Sequence, residues 1–262
     1  MSEGDDTGRV LVGCSGWQYR DWRGSFYPGD LAMTKWFGYY ADRFPTVELN
    51  STFYRLPTTA SVDRWSAAAP EGFVYAVKLG AFGTHRKKLR DPESWLPEHL
   101  DRVEHLGASA GPTLVQLPPN WRRDVPRLDD FLAATPPDRR WAIELRDPSW
   151  IHDDVFSTLQ KHGAALCLHD LLPDLPRVRT TDWTYVRLHG PRALAEPYHG
   201  RYGSRRLRAL AGELREAMTA GDDAYVYFNN DQEAAAPRDA LWLARELGIS
   251  SCTDEDAGAA ES

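Results

Sequence analysis

Residues 46–57, TVELNSTFYRLP, constrain this chain more than any other stretch. Val47 and Leu49 alternate with Glu48 and Asn50, so the segment opens as a strand with one apolar and one polar face. In a sheet covered by helices the apolar face packs outward, which leaves a carboxylate and an amide directed to the centre. An unpaired buried carboxylate costs several kcal/mol or takes up a proton, so Glu48 requires a cation, water or a chemical role. The polar residues then gather at the C-terminal end of the strand and continue into a loop with Ser51, Tyr54 and Arg55.

The same arrangement recurs seven more times. Strands are expected at residues 10–14 (VLVGC), 73–79 (FVYAVKL), 113–118 (TLVQLP), 141–146 (WAIELR), 164–170 (AALCLHD), 184–190 (TYVRLHG) and 224–230 (AYVYFNN). Each carries polar side chains at or just past its end: Ser15, Lys78, Gln116, Glu144 with Arg146, His169 with Asp170, Arg187 with His189, and Tyr227 with Asn229. Helical patterns lie between most of them, from about residue 32 to 44 and over residues 62–68, where Thr58 or Thr59 supplies a cap. Eight strands with intervening helices predict a single (β/α)8 TIM-like barrel over residues 9–250. One unit is irregular. Residues 171–182 (LLPDLPRVRTTD) hold two prolines and leave little room for a helix, so a loop is expected between strands six and seven. No GxGxxG or GxxxxGK[ST] phosphate loop is present.

The formal charge of −7 is carried entirely by the two ends. Glu3, Asp5 and Asp6, with Asp254, Glu255, Asp256 and Glu261, account for all of it and have no basic partner nearby. Residues 1–8 and 251–262 are therefore read as disordered acidic tails around a formally neutral barrel. Three widely spaced cysteines form neither a disulfide framework nor a CxxC zinc pattern. With no apolar N-terminal leader and no membrane-length apolar run, a cytoplasmic protein without a membrane partner is expected.

Several motifs, taken together, resemble the DUF72 (YecE-like) family of TIM-barrel proteins. They are GCSGWQYRDWRGSFYP, TVELNSTFYRLP, FVYAVKLGAFGTH, LVQLPP, AIELRDPSW, YVRLHG, YHGRY and YVYFNND, spread over about residues 12–231. In AIELRDPSW, Leu145 and Asp147 stand where that family's pattern often has Phe and His. The resemblance implies the barrel and no particular activity.

Eight parallel strand ends place their polar side chains around one mouth roughly 10–15 Å across. Candidate catalytic residues are Glu48, Lys78, Glu144, His169 and His189. Candidate substrate-binding residues are Ser15, Trp17, Asn50, Tyr54, His85, Gln116, Arg146, Arg187, Arg201, Tyr202, Tyr227 and Asn229. The plain alternative is that the charges satisfy one another, Glu144 and Arg146 pairing with Glu48 and Arg187. The aromatic loop with Trp17, Tyr19, Trp22, Phe26 and Tyr27 reads mainly as packing, Trp17 being the exception because it follows the strand directly.

Two basic runs, residues 84–90 (THRKKLR) and 201–208 (RYGSRRLR), follow strand ends and favour an anionic small molecule or nucleic acid as partner. The expected function is thus a metal-independent enzyme on a phosphorylated or nucleotide-like substrate. In it, Glu48 or Glu144 works with a histidine as acid and base, while Lys78, Arg146, Arg187 and Arg201 hold the anion. A nucleic-acid-binding protein or endonuclease IV-like metal nuclease is the second reading, and a glycosidase using Glu48 and Glu144 the third. No metal or cofactor is expected: Lys78, Arg146 and Arg187 crowd the mouth, and no HxH or HxxxH pair occurs.

Overall fold

A computed structural model describes residues 7–249. Eight parallel strands close into a barrel in chain order, the last pairing back onto the first. They are β1 (Val10–Cys14), β2 (Thr46–Leu49), β3 (Val74–Lys78), β4 (Ala110–Gln116), β5 (Trp141–Glu144), β6 (Ala165–His169), β7 (Trp183–Leu188) and β8 (Asp223–Phe228). Helices α1 (Trp36–Ala41), α2 (Ser51–Tyr54), α3 (Thr59–Ala68), α4 (Leu96–Glu104), α5 (Val125–Ala133), α6 (Asp153–Lys161), α7 (Ser204–Thr219) and α8 (Ala235–Leu247) surround it. None of the helices among the described residues is long and apolar enough to cross a membrane. The acidic ends lie almost wholly outside the described residues. Gly8 is held at the edge of the barrel by its amide, which donates to the Met218 carbonyl at 2.9 Å.

Local chemistry accounts for the departures from the expected boundaries. β5 stops at Glu144 rather than Arg146, because the Leu145 carbonyl accepts from His169 Nε2 at 2.7 Å instead of from a strand. β4 starts at Ala110, three residues early, through a register shift against Tyr75 and Val77. The segment expected to be helical from about residue 32 is divided into a 3-10 turn, Met33–Lys35, and α1, whose Trp36 and Tyr40 bury with Phe44 at helical spacing. Thr58 caps α3, its Oγ1 accepting from the Ser61 amide.

No helix joins β6 to β7. A groove of about 480 Å³ remains there, lined by Leu166, Leu168 and Val186 on the strands and Leu210 and Leu214 on α7.

The barrel interior is lopsided. β3, β5 and β6 contribute the small residues Ala76, Ala142 and Ala165, while β7 and β8 contribute Trp183, Tyr185, Tyr225 and Tyr227. Large side chains from one side therefore fill space left by alanines on the other, and Arg187 follows the same rule one layer higher. Outward-facing Val47 and Leu49 pack with the helices, as their alternation with Glu48 requires.

Candidate functional site

Arg187 is fully buried and joins three strands. Its Nε and Nη2 donate to Glu48 at 2.9 and 2.7 Å, and its Nη1 donates to Glu144 Oε2 at 2.6 Å. Glu48 also accepts from Ser15 Oγ and Tyr185 Oη, both at 2.7 Å. Glu144 also accepts from Arg146 Nε. Burial pushes both carboxyls up, but the Arg187 charge on Glu48, and those of Arg146 and Arg187 on Glu144, more than reverse it. Both stay ionised. The ion pairs thus form largely as the plain alternative foresaw, with Arg187 bridging both carboxylates.

The histidines beside this floor are neutral and engaged. His189 Nε2 lies 3.0 Å from Arg187 Nη1, which can only donate, so its Nδ1–H faces Asp170 Oδ1 at 3.1 Å. Burial brings the His189 pKa down to about 4, against the opposing hydrogen bond of Asp170. His169 uses both ring nitrogens on backbone: Nδ1 accepts from the Leu171 amide and Nε2 donates to the Leu145 carbonyl. Neither imidazole has a nitrogen left for a substrate. Both position the loops around Arg187.

Above the floor stand Lys78, Arg146, His85, Gln116, Asn50 and Asn229. Lys78 places Nζ 4.4 Å over the Phe53 ring. Burial and then the Arg187 charge lower its pKa to about 8, with Glu144 and Glu48 opposing. His85 is half-buried, meets Phe53 edge-on, and is kept neutral by burial and by Lys78 and Arg146. With its amide turned to satisfy both neighbours, Asn229 accepts from Arg187 Nη2 at 3.1 Å and donates to Asp231 Oδ2 at 3.0 Å. Burial raises the Asp231 carboxyl to about 8; Tyr19 and Arg187 oppose this, while Glu48 and Asp21 add to it. Asp231 is therefore a protonated acid near neutral pH.

Other candidates lie elsewhere. Trp17 packs against Phe37 and Trp65 in the outer core, because the chain turns away from the axis at Gly16, where φ is +111°. Tyr54 is 85 % exposed on α2, outside the mouth. Tyr227 lies one layer deeper, its hydroxyl 2.7 Å from Thr46 Oγ1. Arg201 is tied to buried Asp239, and Tyr202 donates to Asp170 on the flank of the barrel. The second basic run is largely the start of α7. Its Arg206 pairs with Asp170 and its Arg208 covers Trp242.

Tyr185, Asp170, Asp231 and Phe53 are not among the candidate catalytic and substrate-binding residues, although Asp170 stands at a strand end beside His169. Tyr185 was legible, since it shares the inward parity of Arg187. Phe53, on a one-turn helix, gave no signal. Among the described residues, no group of three His, Cys, Asp or Glu side chains is placed to hold a metal ion.

A closed parallel barrel of eight strands with a polar network at its C-terminal mouth is a (β/α)8 TIM-like barrel. The chain belongs to the family described as protein of unknown function DUF72, which it matches over residues 11–260. It is 32 % identical over 112 residues to the UPF0759 protein YecE of Escherichia coli K12, covering 42 % of this chain and 41 % of that protein. It thus spans about two fifths of that relative's length. Over 254 residues it is 24 % identical to the UPF0759 protein YunF of Bacillus subtilis, covering 85 % of this chain and 89 % of that one. A crystal structure of a DUF72 family protein from Thermotoga maritima superposes with TM-score 0.79 at 27 % identity, covering 92 % of this chain and 99 % of the other. A DUF72 family protein from Enterococcus faecalis, at 19 % identity, shares the fold with TM-score 0.78.

Proposed function

We propose that the mouth binds a small anionic substrate, phosphorylated or carboxylated, and acts on it without a metal. One observation carries this reading: the carboxylates are sealed and the cations face outward. Glu48 and Glu144 are inaccessible, while the Arg146 side chain retains 15 % exposure. An arriving ligand therefore meets Lys78 and Arg146 before Glu48 or Glu144. Asn50, Gln116 and Asn229 add neutral donors, and Asp231 supplies a protonated acid in the same region.

This geometry favours the anion over the two other readings. A glycosidase needs two carboxyls flanking an open bond, and here the Arg187 guanidinium lies between them. Extended nucleic-acid binding calls for free surface cations, and three arginines of the second basic run already have partners.

Isothermal titration with inorganic phosphate tests the reading. Saturable binding is expected, weakened about 10-fold or more by Arg146→Gln, because a charged hydrogen bond contributes roughly 1.5–3 kcal/mol. Absence of binding, or binding indifferent to Arg146→Gln, would remove the anion site from the mouth.

A further inference from the structure

Holding charge alone does not explain the placement of Lys78. It is the last inward side chain of β3 and is only 8 % exposed. Among the described residues its Nζ has no hydrogen-bond acceptor and no ion-pair partner, only the face of Phe53. The two carboxylates that act on it electrostatically, Glu48 and Glu144, have their oxygens filled by Arg187, Arg146, Ser15 and Tyr185. The chain has five lysines, and Lys35, Lys87, Lys88 and Lys161 all lie nearer the surface.

A lysine that serves only as an anchor gains from a full, permanent charge. Arg146 and Arg187 already provide that, and a third arginine at this position would do it better. Burial beside Arg187 works in the opposite direction and favours the free amine, the form that is a nucleophile. At about 8, roughly a tenth of the amine is neutral at pH 7, against fewer than about one in a thousand for an ordinary lysine.

We propose that Lys78 forms an imine with an anionic aldehyde or ketone, a 2-oxo acid or phosphorylated carbonyl compound, whose charge is held by Arg146. The proposal rests on the anion-binding reading and names its substrate class. The neutral Nζ adds its lone pair to the carbonyl carbon, and the C=O π pair moves onto oxygen. The resulting carbinolamine then loses water as the C=N bond forms. Counted from the ammonium form, nitrogen gives up two protons, the oxygen leaves with both as water, and the iminium retains the single positive charge. No oxidant or reductant enters. The Arg187–Glu48–Glu144 floor keeps its own charges paired while this occurs.

The test uses the full chain, glyoxylate as the anionic aldehyde and cyanoborohydride to trap the imine, with peptide mapping of every lysine at pH 7. Lys78 is expected to be labelled at least about 10-fold faster than the four other lysines. Inorganic phosphate should slow that labelling. Lys78→Arg should abolish the adduct at this position while the melting transition is retained. Labelling of Lys78 no faster than the others, or unaffected by phosphate, would overturn the proposal. If phosphate still binds by calorimetry when labelling is unselective, the imine falls and the anion site stands. If phosphate does not bind at all, both fall together.

Discussion

Arg187 decides more than any other side chain whether this barrel holds together. A guanidinium out of water is tolerated only because Glu48 and Glu144 saturate it, and those carboxylates are tolerated only because of Arg187. Removing one partner strands the others, so Arg187→Met is expected to destabilise the fold by about 3–5 kcal/mol in urea denaturation. A variant as stable as the parent would show that the network is not sealed from water. Lys78 should behave in the opposite way. Its pKa is about 8 in the fold and 10.5 as an ordinary lysine, so the folded state is penalised at every pH below 8. The penalty shrinks as pH rises from 8 and is gone above 10.5. Lys78→Met should therefore stabilise the protein at pH 7 by roughly 1–3 kcal/mol, with the gain vanishing by about pH 10.5. Chemical denaturation at both pH values checks this, and a loss of stability at pH 7 would mean that the ammonium has a partner.

At the scale of elements, the thinnest seam is β1 against β2, which share one paired register, Cys14 with Val47. Tyr40 of α1 closes it from outside, its hydroxyl accepting from the Cys14 amide at 2.8 Å and donating to the Thr46 carbonyl at 2.9 Å. Tyr40→Phe leaves both buried groups unsatisfied and should cost about 2–4 kcal/mol. Hydrogen exchange should show the loss first at the Cys14 amide, and unchanged protection there would assign the seam to the strands alone. This seam was not legible in the sequence, because a tyrosine in an aromatic helix reads simply as packing. The strands were legible for a physical reason: period-two alternation in 46–49, and the same parity in Ala76 and Lys78, can be satisfied only if one face enters a closed interior. The helix-free link from β6 to β7 was legible in Pro173 and Pro176. The candidate site was legible as a set of polar strand ends, which brought out Glu48, Lys78, Glu144, Arg146 and Arg187. The partners were not. Parity places His169 and His189 at the mouth, but it does not reveal that backbone, Asp170 and Arg187 consume their nitrogens.

Over the whole molecule, the buried ionisable groups respond to acid in both directions: Asp231, at about 8 in the fold against an ordinary 3.8, loses its cost as pH falls from 8 to 3.8, and the histidines work the other way. His189 and His99 have pKa values of about 4 in the fold against an ordinary 6.5. The unfolded chain takes up their protons first, so stability falls as pH drops from 6.5 to 4, by up to about 3 kcal/mol for each. Glu48 and Glu144 titrate below their ordinary 4.5 in the fold, so the stability they contribute above 4.5 is lost as pH falls below it. Relative to a His99→Gln variant, in which the other groups are unchanged, the melting temperature is expected to decline as pH falls from 6.5 to 4 in scanning calorimetry. A difference that stays constant from pH 6.5 to 4 would mean that His99 is protonated in the fold. A crystal structure with tungstate, a heavy analogue of phosphate, shows whether the mouth presents cations above a sealed carboxylate floor. The expected result is an anomalous peak at the mouth within hydrogen-bonding distance of Lys78 Nζ and the Arg146 guanidinium. Tungstate bound only on the outer surface, with the mouth empty at the same concentration, would contradict it.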